Sequence, residues 1–405
     1  MDSSSYGPLG DGDSPVFTWG SDLAGIQMLF FTKLNITLVF LPLGVMSAFY
    51  QWGDLTTFWF NFVALIPLAG LLGNVTEELA LHTGDLVGGL LNATFGNAVE
   101  MILTVQALRA NLLAVVQGTL LGSILSNLLL VLGMSFFAGG LFHHVQKFNA
   151  QGATCSTSLL LLASLAFITP TVTSSDHTLP EDILTISRLT ALLIALTYCL
   201  FLFFQLGTHL SLFKDDTGFD KEWPTISASV ATLMLGLITA AVSVASECLV
   251  GSIEGVSRNS GIPESFIGVI LLPIVGNAAE HATAVTVAIK NKPDLTMGVA
   301  VGSSTQIAMF MVPFAVLVGW AMGVPMTLAF SRVSATVLTF SILIVIGVVQ
   351  DGESNWLEGV MLMVAYCIIA IVFWFDNPSE KFTRGHQAHH GVFVIIGAFR
   401  PLTSQ

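Results

Sequence analysis

Residues 96–100 read GNAVE and residues 276–280 read GNAAE. Each sets a glutamate, Glu100 or Glu280, inside a long apolar stretch with no Lys or Arg close by. A charged acid at the centre of a membrane helix costs about 2.5–3.5 kcal/mol on the insertion scale. A chain that bears this cost twice, in nearly the same words, has a use for both acids. Sliding the sequence by 180 residues aligns 88–130 with 268–310 without a gap, giving eleven identities in 43 positions. The identities are Gly88/Gly268, Leu91/Leu271, Gly96/Gly276, Asn97/Asn277, Ala98/Ala278, Glu100/Glu280, Val105/Val285, Asn111/Asn291, Gly118/Gly298, Gly122/Gly302 and Ser123/Ser303. Gly, Asn, Glu and Ser dominate the set, so shared apolarity does not produce it.

The rest of the chain gives these words their setting. Of 405 residues, 54% are hydrophobic and only 10% charged, against about 25% charged in a soluble protein. Apolar stretches long enough to cross a ~30 Å hydrocarbon core as helices recur along it. The expected fold is an all-α polytopic membrane protein with about eleven transmembrane helices, at 34–50, 56–81, 86–108, 112–141, 155–174, 183–210, 225–257, 263–289, 295–321, 328–349 and 355–375. The short alternating strands of a membrane barrel are missing from the pattern. The two matched words begin on the third and eighth spans, five crossings apart, so they enter the membrane from opposite sides. That is an inverted-topology repeat, an architecture whose substrate site lies at mid-membrane between the repeats.

Charge narrows the function. A net charge of -13 argues against nucleic acid and against docking on anionic lipid, and suits a protein that handles cations. Cys155, Cys199, Cys248 and Cys367 form no CxxC pair, so neither a disulfide framework nor a zinc site is expected. Lys33, Lys147, Lys214, Lys221, Lys290 and Lys292 fall on one side of the expected topology, and Arg109, Arg188, Arg258 and Arg332 on the other. By the positive-inside rule the N-terminus is cytosolic.

Two acids at membrane depth without a basic partner must protonate or hold a mobile cation, and alternating between those states is the chemistry of a proton-coupled cation exchanger. Asn-Ala-Val-Glu also reads as a capping box. Here the cap would lie inside a hydrophobic run, which implies a helix broken at membrane depth, tolerated only where it lines a cavity or is buried in protein. Gly96 and Gly276 loosen the backbone at that point, and both readings lead to a polar pocket. The neighbours are hard oxygen donors: Asn97 and Asn277 three residues before the glutamates, then Ser123, Ser126, Ser303 and Gln306 on the following spans. Calcium accepts 6–8 oxygens flexibly, whereas magnesium keeps its waters; no Cys or Met lies in these motifs to favour copper or zinc. The serines also read as close helix–helix contacts. His281 adjoins Glu280 and reads as packing or as lining for a proton path. Glu77, Glu78 and Glu247 fall near the ends of the spans that precede the two motif helices, where they either funnel cations toward the site or belong to solvated helix ends. Asp215, Asp216, Asp220 and Glu222 form an acidic loop whose spacing does not fit an EF-hand.

GGLLNATFGNAVE (88–100), LLGSILSNLLLVLG (120–133), LPIVGNAAEH (272–281) and DGESNWLEGV (351–360) together resemble the calcium/proton exchangers of the cation/calcium exchanger superfamily, with the fungal vacuolar members nearest. The resemblance runs from residue 34 to 375. It implies an N-terminal tail (1–33), a peripheral helix (34–50), five-helix repeats at 56–210 and 225–375 around an acidic loop (211–224), and a C-terminal tail (376–405). It implies calcium bound between Glu100 and Glu280 with Asn97, Asn277, Ser123, Ser303 and Gln306 nearby, protons as counter-ion, and no cofactor. It also implies that 56–81 and 225–257 slide as gating helices between cytosol and vacuole. A sodium-coupled calcium exchanger, a manganese/proton exchanger and a membrane-embedded acid-dyad hydrolase are the alternatives at this stage. The oligomeric state is not encoded in any of these features.

Overall fold

Asn111 and Asn291, matched by the 180-residue shift, each have φ of 57°. Positive φ is uncommon outside glycine and is best tolerated by Asn and Asp, so two asparagines bent alike after equivalent helices repeat a backbone shape as well as a sequence. The structure is a computed structural model that describes residues 17–174, 179–209 and 223–376. The acids of 215–222 and the tail beyond Asp376 lie outside the described residues.

Helix α1 (Trp19–Phe30) opens the described chain, started by a Thr18–Ser21 capping box. It stands at 84° to α2 (Leu34–Phe49), whose first turn is a 3-10 turn over Leu34–Val39. The expected tail 1–33 thus contains a helix that the hydropathy pattern did not reveal. Next come α3 (Asp54–Gly84), α5 (Leu113–Phe142), α6 (Ala150–Thr173), α7 (Pro180–Thr208), α8 (Ala228–Ser260), α10 (Pro293–Ala321), α11 (Arg332–Val349) and α12 (Trp356–Phe375). Between them lie two broken helices, α4 (85–95, then Ala98–Arg109) and α9 (Glu264–Gly276, then Ala278–Ile289, bent by 59°). Helices α3–α7 correspond in order to α8–α12.

Among the described residues, eight helices are long and apolar enough to cross a membrane, or ten if each of two bent pairs counts as one span. The expected third span falls outside that count because Gly84, with φ of 78°, and the break at Asn97 cut it into short pieces. Helix starts follow their local chemistry. Pro180 and Pro293 open α7 and α10, where a missing N–H is harmless. Asn149 and Ser331 cap α6 and α11, and a box of Asn355 with Glu358 starts α12. One two-residue strand pair, Gln146–Lys147 with Glu353–Ser354, ties the loops before α6 and α12 and adds a Lys147–Glu353 ion pair of 2.8 Å.

Helices α3 and α8 lie side by side and antiparallel. At one end Asp54 packs against the Cα of Gly255. At the other, the Glu78 carboxylate accepts from the Thr225 N–H and hydroxyl, both at 2.7 Å. Asp22 of α1 joins that end by accepting from the Ser227 N–H at 2.7 Å and its hydroxyl at 3.0 Å. The N–H groups just before α8 are thus satisfied by two carboxylates from elsewhere in the chain. Helix α5 is the most enclosed of the long helices and α7 the least, so α5 and its counterpart α10 run through the centre.

Candidate functional site

The breaks in α4 and α9 come at the same place in each repeat. Asn97 (φ −106°, ψ 21°) and Asn277 (φ −93°, ψ 11°) interrupt the helical path, and new helices start at Ala98 and Ala278. The expected capping bond is absent: neither asparagine side chain caps its helix. Both side chains reach across to the other repeat. Asn97 Nδ2 donates to Gln306 Oε1 at 3.0 Å, and Asn277 Nδ2 to the Ser123 carbonyl at 3.4 Å. Helices α5 and α10 meet them with π-turns at Ser126–Val131 and Ile307–Met311, one residue from equivalence under the repeat. Such turns recur at functional positions because they re-aim side chains and free backbone groups.

The glutamates follow one turn later and are held differently. Glu280 is gripped from two helices: Ser303 Oγ donates to Oε1 at 2.7 Å and Asn127 Nδ2 to Oε2 at 2.7 Å. The same Asn127 amide also donates to Ser303 Oγ at 3.1 Å. Glu100, only 3% exposed, lies against Gly276, where a Cβ would come within 2.5 Å of its Oε1. Glycine at 276 therefore does more than loosen a helix; it makes the space that the first repeat's carboxylate fills. Around this centre Asn97, Asn277, Ser123, Ser126, Asn127 and Ser303 are all buried.

Two buried oxygens at this centre, Ser123 Oγ and Asn127 Oδ1, have no hydrogen-bond partner among the described residues. A buried acceptor without a donor is costly, and a hard cation is one group that would satisfy it. The convergence supplies two carboxylates together with amide, hydroxyl and carbonyl oxygens, the donor chemistry of calcium. Glu100, Glu280, Asn97, Asn277, Ser123, Ser303, Gln306 and Gly276 lie at this convergence, whereas Gly96 is exposed at the break and faces the Asn92 carbonyl of its own segment. Ser126 is there too, with its hydroxyl 3.1 Å from His281 Nε2, so His281 faces the centre through a polar contact. Asn127 is the residue that sequence reasoning missed. Its repeat partner is Ile307, so self-alignment passes over it, although it lies one helical turn after Ser123 on the same face.

The outer acids are placed elsewhere. Glu78 is bonded to 225–226 at the start of α8, which gives it a structural task. Glu77 is exposed on α3. Glu247 is not near a span end, contrary to its expected place: it is exposed well inside the 33-residue α8.

A helical membrane protein whose inverted repeats each bring one carboxylate to a shared, oxygen-lined centre belongs to the class of secondary transporters. The chain belongs to the family described as sodium/calcium exchanger protein, which matches residues 54–207 and 230–375. It is 43% identical over 385 residues to vacuolar cation/proton exchanger 2 of Oryza sativa subsp. japonica, covering 90% of this chain and 87% of that one. It is 39% identical over 359 residues to the vacuolar calcium ion transporter of Schizosaccharomyces pombe, covering 86% of each. Among solved structures, the Ca2+/H+ antiporter protein YfkE superposes with a TM-score of 0.72 at 37% identity, covering 84% of this chain and 98% of that one. Plant and fungal relatives are thus about equally similar.

Proposed function

We propose that this protein exchanges calcium for protons across the vacuolar membrane by alternating access, with both ions competing for Glu100 and Glu280. The observation that carries this reading is the meeting of those carboxylates, one from each repeat, among oxygen donors and without a basic partner. Protons on both acids, or one divalent cation between them, neutralise the pair. The empty, doubly charged pair costs several kcal/mol to enclose, which suppresses uncoupled return and makes exchange obligatory. Asn97, Asn277, Ser123, Asn127, Ser303 and Gln306 supply neutral ligands, and His281 lines the proton path beside Ser126.

The two repeats differ in exposure in a way that supports alternating access. Val87 and Leu90 in the first segment of α4 are 48% and 42% exposed, whereas their counterparts Ile267 and Ile270 in α9 are 0% and 5%. The second segments show the reverse: Leu103 is buried and its counterpart Thr283 exposed. This difference favours a centre that opens toward the side of residue 84 and of Lys290 and Lys292 and closes toward the side of Arg109 and Arg332. With a cytosolic N-terminus the open side is the cytosolic one. The names of the relatives favour calcium/proton exchange over sodium coupling, and the broader word cation in some of them keeps manganese as a second cargo. Glu77, exposed on α3 toward the residue-84 end, attracts cations toward the opening, whereas Glu247 lies on the opposite half of α8.

The test is calcium uptake into vesicles containing the purified protein, with an inside-acid pH gradient in one arm and a sodium gradient alone in the other. Uptake in the first arm only is expected. Uptake driven by sodium without a pH gradient would refute proton coupling, and manganese uptake in the first arm would add that ion as cargo.

A further inference from the structure

Helices α6 and α11 come from different repeats and lie side by side, yet their two ends are finished differently. Where α6 starts and α11 stops, the strand pair of 146–147 with 353–354 joins them. The Phe148 N–H donates to the Gly352 carbonyl at 2.9 Å, and the local cation, Lys147, has Glu353 as its partner. Where α6 stops and α11 starts, the helices part around a groove of about 440 Å³, within the range of about 300–1,000 Å³ usual for ligand sites.

The cation at that end is Arg332, and it has no such partner. Among the described residues its guanidinium makes no hydrogen bond or ion pair. It occupies the first position of α11, whose first turn holds no acid, so the helix dipole adds to its charge there instead of offsetting it. Past Arg332 the groove is lined by Thr336, Thr339 and Phe340 of α11 and by Ile168 and Val172 of α6. The hydroxyl protons are already used. Thr336 donates to the Arg332 carbonyl at 2.7 Å and Thr339 to the Ala335 carbonyl at 2.9 Å. Thr171, also on the wall, donates to the Phe167 carbonyl at 2.7 Å and accepts from the Phe330 N–H at 3.0 Å. Val172 and Phe340, 71% and 62% exposed, leave the trough open to the bilayer. Arg332 to Phe340 covers about 12 Å along the helix, close to the depth of one leaflet of a ~30 Å core. The groove thus presents one unpaired cation at the head of a trough without free donors, and no acid lines it.

We propose that this groove holds one anionic phospholipid from the leaflet on the Arg332 side, its phosphate paired with the guanidinium and an acyl chain lying along the trough. A free anion gains nothing from the trough, and a zwitterionic headgroup brings a cation that no lining residue accepts. The bound lipid bridges the two repeats at the end that the strand pair does not reach.

The test is native mass spectrometry of the purified protein, washed free of lipid and titrated with phosphatidylglycerol or phosphatidylcholine. The parent should bind one phosphatidylglycerol at least tenfold more tightly than phosphatidylcholine. Arg332→Gln should lose about tenfold or more of that affinity, as expected for a bond to a charged group. Thr336→Trp, which fills the trough and keeps the guanidinium, should lose as much, whereas Thr339→Val should stay within threefold of the parent. Arg332 and Thr336 are exposed, so both variants should melt with the parent. Equal binding of the two lipids, or parental affinity in Arg332→Gln or Thr336→Trp, would overturn the proposal. Displacement of the lipid by inorganic phosphate at the lipid's own concentration would overturn it by making this a free-anion site. A lipid-free dimer that Thr336→Trp dissolves would overturn it by making the groove a contact between copies.

Discussion

Gly276→Ala tests the centre most directly, because the structure fixes the size of the disturbance. The new Cβ would lie 2.5 Å from Glu100 Oε1. Ordinary contact begins at about 3.4 Å, so the carboxylate must retreat by roughly 0.9 Å. Metal–oxygen distances tolerate about ±0.2 Å, and a misplacement of about 1 Å typically costs on the order of 100-fold in a positioned reaction. The carboxylate is the far end of a flexible side chain, so the fold should survive and the ligand should be lost. The expected result is insertion at the parental level, with calcium half-saturation raised about 100-fold, equivalent to roughly 2.8 kcal/mol. The assay is calcium uptake in vesicles over a range of calcium concentrations, with detergent-solubilised melting as the control for folding. Glu100→Asp, which draws the carboxylate back by one methylene, removes the collision at its own cost. The double variant should therefore be little worse than Glu100→Asp alone, because contacting residues couple. Parental calcium half-saturation in Gly276→Ala, or fully additive losses in the double variant, would refute the placement of Glu100 against residue 276.

Three further outcomes follow from the same geometry. Glu100→Gln and Glu280→Gln should each abolish exchange while leaving the protein inserted, since each removes a cation ligand and a titrating group yet lowers the cost of burial; transport by either at the parental rate would remove the two-glutamate site. Ser303→Ala takes a donor from Glu280 and an acceptor from Asn127, and hydrogen bonds to a charged group contribute about 1.5–3 kcal/mol each, so calcium half-saturation measured in vesicles should shift at least tenfold. Protons compete with calcium for the same carboxylates, so calcium binding to the purified protein should weaken steadily as the pH is lowered from 8 to 5, and a flat profile would exclude direct competition.

Much of this was legible in the sequence. The repeat, the inverted topology and both glutamate words stand out because polar residues inside apolar runs need a reason, and the reason recurs 180 residues later. What stayed hidden was whatever the repeat does not repeat. Asn127 is opposite Ile307, so comparing the halves could not mark it, and its role shows only when α9 brings Glu280 to it. Helix α1 is 12 residues long, too short to span and too mixed in composition to stand out, although Thr18 and Ser21 spelled its start. Glu78 looked like a surface acid because two of its three partners are the backbone N–H groups of Thr225 and Ile226, which leave no mark on a sequence. Asn97 and Asn277 looked like caps because the local pattern fits one; the long-range bonds to Gln306 and Ser123 prevailed.

The bonds from Asp22 and Glu78 to residues 225–227 have a consequence for how the protein is put together. Both acids lie in the first half of the chain and all their acceptor-side bonds are made with the first residues of the second. The halves are thus joined by side-chain recognition as well as by the peptide connection through 210–222. During synthesis α8 emerges with its leading N–H groups uncapped, and the earlier half already presents the two carboxylates that fit them. A chain severed between residues 210 and 222 retains the groups of this docking contact, so two separately made fragments carry the means to select each other in the bilayer and to set α8 antiparallel to α3.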